Sequence, residues 1–363
     1  MLEFPHAALL GFAVAAAAAA GATPLVARLA LSLGVVDRPD ARKINRRPDI
    51  PLLGGLAVAA GFVLGIVAAL ATVPVDFALG RELVGLVAGG SILIAVGIVD
   101  DRRGLSAGPK LGAQVAAAAV AIAFGYEIEY VRIPVTLETF WFPPAISWPL
   151  TALFIVGVTN SLNLLDGMDG ISTGVGLIIA ATLTSLCLFG GGNGGVLMGA
   201  AFSGALLGFL PFNYPPARIF LGDTGALFIG FTLSLLALES YRQAVFVPFI
   251  VPLLALSVPM IDTSLSILRR VRGRRRIFAA DRHHMHHRML EIFGSQRAAA
   301  HQMYGITFIF CLISFFITRL RGYWFLLYLS LIVLLTLKMV HNFGLFGTQG
   351  SSTTDTEAAP ERR

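Results

Sequence analysis

Long apolar runs broken by short polar connections make up this chain almost from end to end. A helix that crosses a bilayer needs ~20 mostly apolar residues, and it must satisfy its own backbone polar groups. About eleven runs meet or approach that length: Ala7–Leu33, Leu52–Val73, Leu83–Val99, Leu111–Tyr126, Trp148–Leu165, Ile171–Phe189, Val196–Phe212, Ala226–Leu238, Val245–Leu268, Met303–Ile317 and Tyr323–Val340. The fourth and eighth are short and carry Ala or Gly, so ten is the lower count. The pattern predicts an all-α polytopic membrane protein of about 10–11 transmembrane helices, with one multi-span domain over residues 1–346. From Gly347 to Arg363 the chain turns to Ser, Thr, Asp, Glu and Pro, a disordered polar tail with nothing to bury. Between Tyr126 and Ser147, alternation around Ile128, Tyr130, Arg132, Val135 and Leu137 has the period of a small hairpin.

Composition agrees with a membrane solvent. Of 363 residues, 56% are hydrophobic and 13% charged, against ~45–50% and ~25% in ordinary soluble domains. Water could not cover that much apolar surface on a globule of this size. Disorder and a nucleic-acid-binding fold are excluded on the same ground, despite a pI near 9.7. The two cysteines, Cys187 and Cys311, lie inside apolar runs and support neither a disulfide framework nor a thiolate metal site. The first run has no basic residue before Arg28 and is too long for a cleaved signal, so it is expected to be retained.

Lys and Arg placement predicts the orientation. One side carries Arg38, Arg42, Lys43, Arg46 and Arg47, then Arg102, Arg103 and Lys110, then a long connection rich in Arg from Arg269 to Arg297. The other side offers only Arg81, Arg132, Arg242, Arg319 and Arg321. The basic side is expected to be cytoplasmic, with the hairpin outside and Trp141, Trp148 and Trp324 as anchors near the outer face. Gly204 and Gly208 permit close helix contact, inside one subunit or between the two of a homodimer.

With charge so scarce, each acid is informative, and four polar clusters fall on the basic side. Asp100-Asp101 ends the third run; adjacent carboxylates repel unless a cation is near, or unless they form a solvated helix end paired with Arg102 and Arg103. In the second, Asn160, Asn163 and Asp166 follow one helix side at i, i+3 and i+6, before Gly167, Asp169 and Gly170. Capping and a turn explain Asp166 and Gly167 but not both Asn, and polar groups at a span end mark a site. In the third, Phe220-Leu221-Gly222-Asp223, Asp223 stands where a helix N-cap would sit. The fourth, Asp281-Arg282-His283-His284-Met285-His286-His287-Arg288, suggests zinc at first, but lacks Cys and the H-E-x-x-H spacing. Anion binding by His and Arg, or adhesion to anionic headgroups, fits it better. Together the clusters offer carboxylates for a divalent cation and basic groups for phosphates on one face. Hard Mg²⁺ takes one or two carboxylates plus substrate phosphate, which suits phosphoryl transfer between a cytosolic nucleotide and a lipid. A transporter would instead need polar residues along a midplane path.

These four clusters, in this order, resemble the polyprenyl-phosphate N-acetylhexosamine-1-phosphate transferases. The likeness runs from Val36-Asp37-Arg38-Pro39-Asp40-Ala41-Arg42-Lys43 to the histidine cluster ending at Leu290. It implies transfer of a sugar-1-phosphate from a UDP-N-acetylhexosamine to a polyprenyl phosphate, with Mg²⁺ or Mn²⁺ and release of UMP. Pro51-Leu52-Leu53-Gly54-Gly55 and the split histidine cluster look like the UDP-GlcNAc branch, rather than the muramoyl-pentapeptide branch with its P-T-M-G-G run and triple His. Asn45 stands where the family commonly has His, and Ala226 where Ser is usual.

On that resemblance, Asp223 is the main metal ligand, with an amide oxygen from Asn163. Asp100 and Asp101 position the lipid phosphate or a second cation, or one of them acts as base. Phe220 is the candidate to stack on uracil, a flat π face being what an exposed base needs. Asp166 and Asp169 are expected on the nucleoside or near the metal, and Asn160 on substrate. Arg282, His284, His286 and His287 are expected on the diphosphate or sugar, with Lys43 completing the phosphate rim.

Overall fold

The computed structural model describes residues 3–37, 49–73, 80–133, 136, 138–243, 250–272, 284–318, 320 and 322–343. Lys43, Arg282 and the polar tail lie outside them. Helices account for nearly everything described: α1 (Glu3–Ser32), α2 (Gly54–Leu70), α3 (Arg81–Arg103), α4 (Ala107–Ala123), α5 (Pro144–Leu165), α6 (Ile171–Gly190), α7 (Asn193–Asn213), α8 (Gly222–Gln243), α9 (Ile250–Ala255), α10 (Ser257–Arg272), α11 (Met285–Phe293), α12 (Gln296–Ile317) and α13 (Tyr323–Asn342). Eight of them are long and apolar enough to cross a membrane, and α2 and α4 are shorter apolar helices of 17 residues. The expected eleven runs therefore all appear as helices, but the ninth is broken.

That break has a covalent cause. Pro259 has no N–H to offer the carbonyl four residues back, at Ala255, where α9 ends. The Ala255 carbonyl instead faces the Cys311 thiol at 4.0 Å, and the chain resumes as α10 one residue later. Beyond it, α11 is a short helix with buried Met285, His286 and Met289, which the hydropathy pattern left inside a connection.

The bundle is built around α8. Its spanning segment is 94% buried, against 22% for α1 and 17% for α13. A helix apolar all round belongs in the middle, and one with a broad exposed apolar face belongs against lipid. Around α8 pack α3, α5, α6 and α2, while α1 lies on α2 and α7. Gly204 and Gly208 sit against the backbone of Phe12 and Ala16, and a methyl group at either would run into a carbonyl oxygen of α1. The close contact they permit is internal, and they give no surface for a second copy.

Two small antiparallel ladders complete the fold. The expected hairpin is present, β3 (Tyr130–Arg132) pairing with β4 (Thr139–Trp141) in the register Tyr130 to Trp141. Tyr241 on α8 fastens it, donating its hydroxyl to the Tyr130 carbonyl at 2.6 Å and accepting from the Tyr130 N–H at 2.9 Å. At the other end of the molecule, β1 (Val36–Asp37) pairs with β2 (Ile50–Pro51) on either side of the first basic connection.

Candidate active site

The ends of α3 and α5, the starts of α4 and α8, the β2–α2 turn and the tip of α11 enclose one cavity of about 830 Å³. Its wall includes Asp100, Asp101, Asn163, Asp166, Asp169, Phe220, Asp223 and His287. Three of the four polar clusters thus meet in one place, and the fourth reaches it with a single histidine.

The two carboxylates at the end of α3 divide their labour. Asp101 accepts from the Asp223 N–H at 2.7 Å, the Thr224 N–H at 3.2 Å and the Thr224 hydroxyl at 2.6 Å. Those are the donors at the start of α8 that no helical carbonyl can reach, and the helix dipole favours an anion there. Asp101 therefore caps α8 from another helix. Asp223, which the sequence offered as its own cap, keeps its side chain for the cavity. Asp100 is buried; it accepts from the Leu105 N–H and pairs with Lys110 of α4. The same ammonium lies 2.8 Å from Asp223 Oδ2. Lys110 is the residue sequence reasoning missed: it read only as a marker of sidedness, yet it is the cation that lets Asp100 and Asp223 share a wall.

On α5, Asn163 donates its amide to Asp223 Oδ1. Asn160 is not in the cavity wall; its amide exchanges hydrogen bonds with Gln114 of α4 and donates to the Val156 carbonyl at 3.0 Å. It joins α4 to α5, and so sets Lys110 and Asn163 side by side. Asp166 reaches the cavity edge, and its withdrawal from water raises its pKa to about 7, against a lowering hydrogen bond from Ser172. Asp169 accepts from the Ala217 N–H at 2.9 Å, which holds the α7–α8 loop. Asn213 closes that loop, accepting from Thr173 at 2.8 Å and donating to the Ile219 carbonyl at 3.1 Å.

Phe220 rides on this loop and is clamped by backbone. Its N–H donates to the Pro51 carbonyl at 2.9 Å, and its carbonyl accepts from Gly54 at 3.0 Å. Gly55 bonds Leu221 in the same way, at 3.0 Å. A Cβ on Gly55 would fall on the backbone of Thr224 and Gly225, so the glycine pair is what lets the two loops close. His284 and His286 are buried outside the wall, and burial lowers the His286 pKa to about 3, helped by the neighbouring His287. His286 is packed, its ring edge against Gly167 of the cavity wall.

Among the described residues, no three His, Cys, Asp or Glu side chains come together as a metal cage. Mg²⁺ does not require one: it takes one or two carboxylates and completes its shell with phosphate and water. The donor set fits that demand through Asp223, with the Asn163 oxygen if its amide turns about.

The spanning bundle thus carries at one end a cavity lined by carboxylates, an amide and a lysine. The description Glycosyl transferase family 4 matches residues 83–241. The chain is 33% identical over 322 residues to a probable undecaprenyl-phosphate N-acetylglucosaminyl 1-phosphate transferase of Bacillus subtilis, covering 88% of this chain and 87% of the relative. It is 33% identical over 302 residues to the decaprenyl-phosphate N-acetylglucosaminephosphotransferase of Mycobacterium tuberculosis, covering 76% and 74%. To a phospho-N-acetylmuramoyl-pentapeptide-transferase of Synechococcus it is 31% identical over 278 residues, covering 72% and 75%. The chain belongs to the polyprenyl-phosphate N-acetylhexosamine-1-phosphate transferase family.

Proposed function

We propose that this protein transfers N-acetylglucosamine-1-phosphate from UDP-GlcNAc to undecaprenyl or decaprenyl phosphate. The products are GlcNAc-diphospho-polyprenol and UMP, the first membrane step of a cell-envelope polysaccharide. The observation that carries the sugar is the extent of likeness: 322 aligned residues with the Bacillus GlcNAc-phosphate relative, against 278 with the muramoyl relative. The site is read as opening to the cytoplasm from the inner (plasma) membrane, since Arg102, Arg103 and Lys110 stand at its end of the bundle.

The chemistry follows from the wall. An oxygen of the lipid phosphate attacks the β-phosphorus of the nucleotide sugar; the bond to the bridging oxygen breaks, and UMP leaves with the electron pair. One phosphoanhydride replaces another, so little free energy is gained or lost. Phe220 stacks on uracil, Asp166 meets the nucleoside, and Lys110 and His287 donate to phosphate oxygens. Asp223 and Asn163 would hold a Mg²⁺ or Mn²⁺ ion, which supplies charge neutralisation for the diphosphate. A phosphate monoester has its second pKa near ~6, so the attacking group needs no strong base at pH 7. The pairing of Asp100 with Lys110 and the capping by Asp101 support positioning roles for both.

The test is UMP release by detergent-purified protein with polyprenyl phosphate and Mg²⁺. UDP-GlcNAc, UDP-GalNAc and UDP-MurNAc-pentapeptide are offered in parallel. UMP from UDP-GlcNAc alone, lost with EDTA and in Asp223→Asn, is the expected result. UMP from the muramoyl donor would overturn the branch, and none from any donor would overturn the reaction.

A further inference from the structure

Asp262 lies on α10, outside the cavity wall, and is 2% exposed. Ser266 and Arg270 follow it at i+4 and i+8 and are buried on the same side, while Ile267, Leu268 and Val271 are exposed. A carboxylate so placed is costly unless its oxygens are used. They are both used by the segment that carries the histidines. Oδ1 accepts from the Met285 N–H at 2.7 Å, capping α11 from another helix, and Oδ2 lies 3.1 Å from His284 Nδ1. From His284 a stack of rings leads to the cavity. His284 and His286 lie 5.6 Å apart and nearly parallel at 5°, and His286 and His287 lie 4.5 Å apart. The middle ring is 2% exposed, and its Nδ1 has no hydrogen-bond partner among the described residues. It contacts the site by shape alone, filling the space beside Gly167 in the α5–α6 loop.

We propose that Asp262 is a positioning residue for the nucleotide-sugar donor: by fixing His284 and the first turn of α11, it sets the His287 ring at the cavity wall through the imidazole stack. This rests on the donor assigned above, so the readout is binding of UDP-GlcNAc to the full chain in detergent with Mg²⁺, separate from turnover. Asp262→Ala should weaken that binding about tenfold, the scale of a lost hydrogen bond to a charged group. The affinity for polyprenyl phosphate should stay within about twofold, because the histidine segment is not assigned to the lipid. His287→Ala should match this loss, and the double variant should be no weaker than His287→Ala alone, since one residue acts through the other. Asp262→Asn keeps an acceptor for Met285 and should recover most of the donor affinity. If Asp262→Ala does not fold, His284→Ala, which cuts the same link from the other side, is combined with His287→Ala for the additivity test. Unchanged donor affinity, additive losses, or equal weakening toward both substrates would overturn the proposal. Wild-type protein that binds UDP-GlcNAc yet releases no UMP would overturn the reaction and leave Asp262's role to be decided by the binding series. Wild-type protein that binds no UDP-GlcNAc would overturn both.

Discussion

His286 shows what a single buried imidazole does to stability. Its pKa is lowered to about 3 by burial first and by His287 second, whereas in an unfolded chain it returns to the ordinary 6.5 of histidine. Below pH 6.5 the unfolded state therefore binds the extra proton and the folded state does not. Stability rises with pH across the window from 3 to 6.5, and it is lost as pH falls through it. The apparent Tm of the detergent-solubilised wild type should drop between pH 7 and pH 5, and His286→Gln should flatten that dependence. An equally steep profile in the variant would assign the slope to other groups. Among the site residues, sequence alone could find the carboxylates and amides, because polar groups at span ends are too costly to be incidental. It could not divide their roles. The cap that Asp223 seemed to supply comes from Asp101, 122 positions earlier, and Lys110 gained meaning only when α4 was folded against α3 and α5. His284 and His286 were expected on substrate because their spacing carries no record of which side of α11 is buried.

At the level of elements, hydropathy located the spans because a bilayer enforces length and internal hydrogen bonding together. The break in the ninth run was present as Pro259, but a window average passes over one proline. Likewise the Pro51–Gly55 turn marked a branch of the family without disclosing its mechanical part, the backbone clasp on Phe220 and Leu221. That clasp makes a prediction. Gly55→Ala must push the Thr224–Gly225 backbone away, and overpacking of this kind costs roughly 1–3 kcal/mol. It should lower the apparent Tm and cut UMP release at least about tenfold, since the start of α8 and Asp223 move with it. Gly112→Ala, on an exposed face of α4 with nothing within 4 Å, should leave activity intact and stabilise by up to ~1 kcal/mol. Parallel thermal and UMP-release measurements decide it; equal behaviour of the two variants would remove the clasp from the account.

Across the whole molecule, α8 links the two ends. Asp223 in its first turn belongs to the cavity, and Tyr241 near its end holds the hairpin. Eighteen helical steps separate them, about 27 Å at 1.5 Å per residue, close to the ~30 Å of a hydrocarbon core. Cavity and hairpin therefore belong to opposite membrane faces, with Arg242 joining Glu82 at 3.2 Å on the hairpin side. The cytoplasmic placement proposed for the cavity rests on the Lys and Arg at that end, among them Arg102, Arg103 and Lys110. Two exposed positions test the assignment: Thr136 in the hairpin and Glu291 on α11. The native Cys187 and Cys311 are both buried, so they contribute little background. A membrane-impermeant maleimide should label Thr136→Cys in intact cells and Glu291→Cys only after permeabilisation. The reverse pattern would place the cavity outside, beyond reach of a cytosolic nucleotide sugar. The carboxylate–lysine wall would then need a different donor, and the reaction proposed for it would fail on topology before any kinetic test.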